Sequence, residues 1–283
     1  MKACKRRSPV NHVVVDQERC LHDGLCVSSC PVYALKLEPG LAGALPTSSQ
    51  GERCIRCGHC VSVCPAGALA LTFLPRSELR PMHTAYTIRP EQAEQLLQAR
   101  RSIRRYGDKL VPREIIERAL DSARYAPSGI NRQPVAWTVV SGRDAVHKLS
   151  AAVLEWAGAL VEQKHPLAER LGFSHFFAAW KKGEDLILRD APHVVLAHTP
   201  TSDPSGAGSA TIAMTYFQLA ASALGLGTCW AGYLQLALSM SPAVANLAGV
   251  PAGRQAHAAT MLGNAKHAYA AIPPRKPLEV TWV

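Results

Sequence analysis

Seven of the nine cysteines fall into two matching runs in the first quarter of the chain. The first reads Cys20-x2-Asp23-x2-Cys26-x3-Cys30-Pro31 and the second Cys54-x2-Cys57-x2-Cys60-x3-Cys64-Pro65. Ligands spaced by two residues can wrap one face of a cubane iron–sulfur cluster, while a fourth cysteine followed by proline is turned toward a second cluster. Cluster I would then be held by Cys20, Asp23, Cys26 and Cys64, and cluster II by Cys54, Cys57, Cys60 and Cys30. The chemistry implied is transfer of electrons one at a time. A disulfide scaffold would need an oxidising compartment, and a pair of zinc sites would not require the x3-Cys-Pro crossover.

The flanks repeat too. Glu18-Arg19-Cys20 matches Glu52-Arg53-Cys54, Cys26-Val27-Ser28 matches Cys60-Val61-Ser62, and Ala34-Leu35 follows one run as Ala68-Leu69 follows the other. Such self-similarity implies a duplicated unit. The segment from Val13 to Phe73 resembles bacterial two-cluster ferredoxins. Asp23 stands where that pattern has cysteine, and a carboxylate is a harder, more weakly held ligand for iron than thiolate. The resemblance therefore leaves two forms open for cluster I: [4Fe-4S] with Asp or water at one iron, or [3Fe-4S] that has lost it. Cluster II is expected to be [4Fe-4S].

A chain of 283 residues, 48% apolar, is long enough for two domains that each bury a core. We expect an iron–sulfur domain over 1–74, a Pro-, Arg-, Ser- and Thr-rich linker over 75–89, and a second domain over 90–283. The formal charge of +10 falls to about +5 once thiolates, iron–sulfide cores and a phosphate-bearing cofactor are counted. Basic residues crowd Arg76 to Arg113, which suits a phosphate or an acidic partner better than a nucleic-acid footprint, so no nucleic acid is expected. Lys5-Arg6-Arg7 is not followed by an apolar run, so no export signal is expected, and thiolate ligands favour a reducing, cytoplasmic setting. Pro204 to Gly253 carries no charged residue or histidine, but Thr215, Gln218, Ser222, Gly225 and Gly227 interrupt its apolar part. It reads as a buried helix and a glycine-rich loop, with no membrane span.

The second domain alternates helix and strand, which predicts an α+β class with a central sheet flanked by helices. Helices are expected from Pro90, over Arg113–Ala126, Asp144–Ala159, Leu167–Arg189 and Ser209–Leu224, and strands over Val135–Val140, His193–His198 and Ala256–Leu262. Four motifs punctuate it. Arg100-Arg101-Ser102-Ile103-Arg104-Arg105-Tyr106 offers guanidinium forks suited to a phosphate dianion. Ala126-Pro127-Ser128-Gly129-Ile130-Asn131-Arg132-Gln133-Pro134 offers neutral donors and acceptors on a loop stiffened by prolines. Gly225-Leu226-Gly227-Thr228-Cys229-Trp230-Ala231-Gly232-Tyr233 permits close backbone approach, with Cys229 expected to be a buried thiol. The tail, Ile272-Pro273-Pro274-Arg275-Lys276, is basic again.

In this order the four motifs resemble the FMN-dependent nitroreductase family over Ile88 to Val283. The resemblance implies that Arg100, Arg101, Ser102 and Arg104 meet the FMN phosphate and ribityl chain, joined by Arg275 and Lys276. Pro127, Ser128, Asn131 and Gln133 would meet the flavin edge across a homodimer interface. Cys229, Trp230, Ala231 and Gly232 would lie against the isoalloxazine, with a backbone N–H at its N5. Asn264-Ala265 replaces the Tyr-Pro that relatives often carry after the glycine. His175, on an aromatic helix where the family builds a lid, is the candidate proton donor, with a packing histidine as the bland alternative.

Joined, the two halves imply a wire ending in a two-electron converter. The leading expectation is an oxidoreductase in which a low-potential donor, ferredoxin-like or NAD(P)H, feeds the clusters. The clusters feed FMN, and FMN reduces a small-molecule oxidant: a nitroaromatic, quinone or activated alkene. The alternatives are a flavin reductase and a redox adaptor serving a protein partner. No G-x-G-x-x-G follows a strand to suggest a dedicated dinucleotide fold.

Overall fold

A computed structural model describes residues 12–40 and 43–283; the basic run Lys5-Arg6-Arg7 lies outside them. The chain divides into two compact units, Met1–Thr87 with Ile130–Arg132, and Ile88–Gly129 with Gln133–Val283.

The first unit repeats itself in three dimensions. Strand β1 (Val13–Val15), helix α1 (Leu25–Ser28), strands β2 (Leu35–Glu38) and β3 (Leu45–Ser48), helix α2 (His59–Ser62) and strand β4 (Leu69–Leu71) follow in order. β1 pairs antiparallel with β4, and β2 with β3. Each cysteine run begins with the same kink: His22 and Arg56, two residues past its first cysteine, both have φ 55°. Gly24 (φ 68°) and Gly58 (φ 75°) then open α1 and α2 in the left-handed region. A duplicated sequence has kept its backbone as well as its residues. The segment expected as a linker starts inside this unit, because Arg76 Nη1 donates to the Val61 carbonyl at 3.1 Å and Leu79 packs on the core.

In the second unit, α3 (Pro90–Ala99) and α4 (Arg113–Ala123) precede strand β5 (Ala136–Ser141), α5 (Arg143–Glu162), α6 (Pro166–Leu171) and α7 (Phe173–Lys181). Strand β6 (His193–Pro200), α8 (Gly206–Ala223), β7 (Gly227–Trp230), α9 (Gly232–Met240), α10 (Pro242–Leu247) and β8 (Arg254–Gly263) complete it. The sheet is antiparallel with order β5-β6-β8-β7. β6 is buried on both faces: Val194 and Leu196 join a core with α5, α7 and α9, while Val195 and Ala197 join another with α4 and α8. A helix-sheet-helix sandwich results, in the α+β class that the alternation predicts.

Two expectations need correction. The single helix expected over Leu167–Arg189 is broken at Gly172 (φ 62°) into α6 and α7, and ends at Lys181. The region read as a glycine-rich loop after α8 contains an edge strand and two helices. A four-residue strand in an uncharged stretch leaves no alternation to read.

Candidate functional site

The first unit holds two cavities. One is lined by Cys30, Cys54, Cys57 and Cys60. The other is lined by Cys20, Asp23, Cys26 and Cys64. Each takes three side chains from one run and its fourth from the other, because the x3-Cys-Pro turn carries that cysteine across to the neighbouring cavity. At both crossover points a backbone N–H meets sulfur: Ala34 N–H donates to Cys30 Sγ and Ala68 N–H to Cys64 Sγ, each at 3.3 Å.

Electrostatics report the same grouping. Burial first, then the Cys30, Cys57 and Cys54 sulfurs, push the Cys60 thiol up to about 11. Cys26 is raised chiefly by burial, with smaller contributions from Cys64 and Asp23. Four sulfurs this crowded ionise together only if a strongly positive group sits among them. Among the described residues no group of three or more His, Cys, Asp or Glu side chains is placed to hold a single metal ion. Asp23 Oδ1 accepts the Leu25 N–H at 3.1 Å, which aims its carboxyl into the turn that starts α1.

In the second unit, the first and third motifs meet. Ser102 pairs with Thr228 at the free edge of β7, and Ile103 N–H donates to the Thr228 carbonyl at 2.9 Å. A Cβ on Gly227 would stand 2.8 Å from the Ile103 side chain, so only glycine allows this approach. Arg100 and Arg101 thereby line one cavity with Gly225, Thr228, His267 and Tyr269. Two guanidinium groups beside a bare backbone edge suit a phosphate-bearing ligand. His267 and Tyr269 went unnoticed in the sequence because they lie outside every motif.

The remainder of the third motif is anchored from behind. Cys229 is buried, as anticipated from its uncharged surroundings. Ala231 N–H is engaged by the Ala259 carbonyl at 2.8 Å, and Gly232, next in the motif, is exposed at the first turn of α9. The Trp230 indole N–H donates to Gln235 Oε1.

Ser128 and Gln133 line a separate cavity with Trp137 and Ser209. Ser128 Oγ accepts the Gln133 N–H at 2.9 Å, closing the loop of the second motif. Asn131 belongs to the first unit, where its Nδ2 donates to the Ile55 and Arg56 carbonyls at 3.1 and 3.0 Å. Arg275 and Lys276 are exposed on the tail beyond β8, outside both cavities. Arg104 is exposed too, and so is His175 on α7, whose ring meets the Phe176 ring edge-on at 5.9 Å between centroids. Within the single chain the motifs expected around FMN thus form two separate groups and an exposed tail.

Known proteins can be compared with this geometry. A model described as the nitroreductase family matches residues 97–264, and one described as a 4Fe-4S dicluster domain matches residues 12–65. A relative from Methanothermobacter thermautotrophicus, which carries a provisional NADH dehydrogenase/NAD(P)H nitroreductase name, is 28% identical over 50% of this chain and 60% of its own length. Iodotyrosine deiodinase 1 of Mus musculus is 33% identical over 29% of each chain. The chain thus spans less than two thirds of the length of these curated relatives. A nitroreductase from Bacteroides fragilis, solved with bound FMN, superposes with a TM-score of 0.53 over 68% of this chain and 98% of its own, at 22% identity.

Proposed function

The chain belongs to the nitroreductase family, and from that premise we propose that it is an iron–sulfur flavoprotein oxidoreductase that carries electrons from a low-potential donor through two clusters to FMN and on to a small oxidant. The observation that supports this most directly is the convergence of Arg100, Arg101 and the Gly225–Thr228 edge on one cavity, in the same chain as two four-ligand cavities. The clusters would supply single-electron exchange, and FMN the conversion to two-electron chemistry.

The residues divide that work. Cys54, Cys57, Cys60 and Cys30 would hold a [4Fe-4S] cluster; Cys20, Cys26, Cys64 and Asp23 would hold the second, with Asp23 the labile corner. Arg100 and Arg101 would neutralise the FMN phosphate, and Gly232 N–H would present a fixed dipole to the flavin N5. Arg275, Lys276, Ser128, Asn131 and Gln133 would complete the flavin site from a partner subunit. That reading of a homodimer is supported by α8, whose exposed residues Thr211, Ile212, Thr215 and Tyr216 carry no charge. His175 stands as the candidate proton donor, free to reach solvent or substrate. Thiolate ligands favour a reducing compartment, hence the cytoplasm, and among the described residues no helix is long and apolar enough to cross a membrane.

The test is anaerobic stopped-flow mixing with reduced ferredoxin or NADPH, following the flavin band and freeze-quench EPR. Cluster reduction that precedes flavin bleaching, with ferredoxin far faster than NADPH, is expected. Direct flavin bleaching by NADPH with lagging clusters would reverse the direction of flow. Turnover of a small oxidant without a protein acceptor separates the enzyme from a relay.

A further inference from the structure

The second motif ends at Pro134, and the backbone of its loop is under strain: Ile130, Asn131 and Gln133 have φ of 44°, 54° and 49°. Non-glycine residues hold such angles only where surrounding contacts over-determine them. At the exit of that loop a contact arrives from β8, across β6 at the same end of the sheet. Arg254, the first residue of β8, donates through Nη2 to the Pro134 carbonyl at 2.7 Å and to the His198 carbonyl at 3.0 Å. Its Nε donates to His198 Nδ1 at 2.7 Å.

His198 is 2% exposed on β6. Burial, and after it the Arg254 charge, hold its imidazole below the ordinary value, so the ring is neutral at pH 7. A neutral ring that accepts at Nδ1 carries its proton on Nε2, which donates to Thr138 Oγ1 at 3.1 Å; that hydroxyl donates to the Gly249 carbonyl at 3.3 Å. Arg254 thus ties the loop exit to β5 and β6 through neutral acceptors. β8 also carries an irregularity in its pairing with β6 at Ala197/His198, beside this cluster, the kind of local bend that re-aims side chains near sites.

We propose that Arg254 and His198 are positioning residues for the loop that carries Ser128 and Gln133, holding it in the conformation that receives FMN. The inference rests on the reading of that loop as a flavin-binding element. It assigns a role to a guanidinium that lies outside all four motifs, and to a histidine whose lone pair is the acceptor that orients it.

The test is the dissociation constant for FMN, read by fluorescence quenching on the full chain with its clusters, between pH 8 and pH 5.5. Arg254→Met should weaken FMN about tenfold or more at pH 8, and Arg254→Lys, which keeps the charge but cannot grip both acceptors, about as much. His198→Asn keeps an oxygen near the Nδ1 position and cannot take up a proton. It should bind within about threefold of the parent at pH 8. On acidification the parent should lose about tenfold more affinity than His198→Asn, because an imidazolium faces Arg254 and no longer accepts its bond. Arg254 is the charged group facing the ring from β8, while β5 presents only the Thr138 hydroxyl and the Trp137 backbone. The FMN phosphate titrates alike in both proteins, so the difference isolates the ring. Thermal melting monitored by circular dichroism checks that each variant folds; should Arg254→Met unfold, Arg254→Lys carries the comparison. Parent-like affinity in the folded arginine variant, with parallel pH curves for parent and His198→Asn, would overturn the inference and leave the proposed function standing. A parent that binds no FMN would remove both.

Discussion

Asp23 is the residue whose chemistry is most readily tested. It lines the same cavity as Cys20, Cys26 and Cys64, so Asp23→Cys should complete a four-thiolate site and change the EPR signal of cluster I, with a gain of iron if that cluster starts as [3Fe-4S]. Unchanged iron content and EPR would show that the carboxylate is only a turn residue. For the flavin, Arg101→Ala should weaken FMN about 10- to 100-fold, equal to about 1.4–2.7 kcal/mol, measured by fluorescence titration. Three histidines also govern stability against acid. His193, His198 and His257 are all held below their ordinary value, each chiefly by burial. The unfolded chain therefore binds protons more readily than the folded one. The stability they confer is fully present above about pH 6.5 and is lost as pH falls through their lower folded values. Urea midpoints should be flat from pH 8 to 7 and decline below 6.5. At this scale the cysteines were legible from spacing alone, since iron ligation demands particular atoms at particular intervals. Arg254 and His198 were not, because their partners lie 120 and 56 residues away from Arg254 in sequence.

At the scale of elements, the junction of Ser102-Ile103 with β7 is the structural hinge of the candidate phosphate cavity. Gly227→Ala would drive a methyl into Ile103 and should cost about 1–3 kcal/mol, seen as a lower denaturation midpoint with weaker FMN binding. Helix α8 offers a second test. Ile212 is 41% exposed on a helix without a charged residue. Ile212→Glu should turn a dimer into a monomer by light scattering, with loss of FMN if the site is shared between subunits; a monomeric parent would refute the dimer outright. Helices α3, α4, α5 and α8 could be read from amphipathic or apolar runs, and β6 from its β-branched core. β7, α9 and α10 were hidden because an uncharged stretch has no polar side to mark its period. The break at Gly172 was missed for a different reason: a lone glycine within a helical pattern is only a weak stop signal.

At the scale of the molecule, the first unit has little core of its own. Among the described residues its buried cluster comprises eight, of which Cys26, Cys30 and Cys60 are three. So small a core needs a staple, and removing iron anaerobically with a chelator should unfold this unit while the second keeps its melting transition. A single transition lost in common would show instead that the units are energetically one. The cluster runs, the duplication and the four motifs could be read along the chain because each is a local pattern set by ligand spacing or by a turn. Pairing is different. How Ser102 reaches Thr228 and how Arg254 reaches Pro134 are contacts between distant segments, decided only when sheet register and burial bring those segments together.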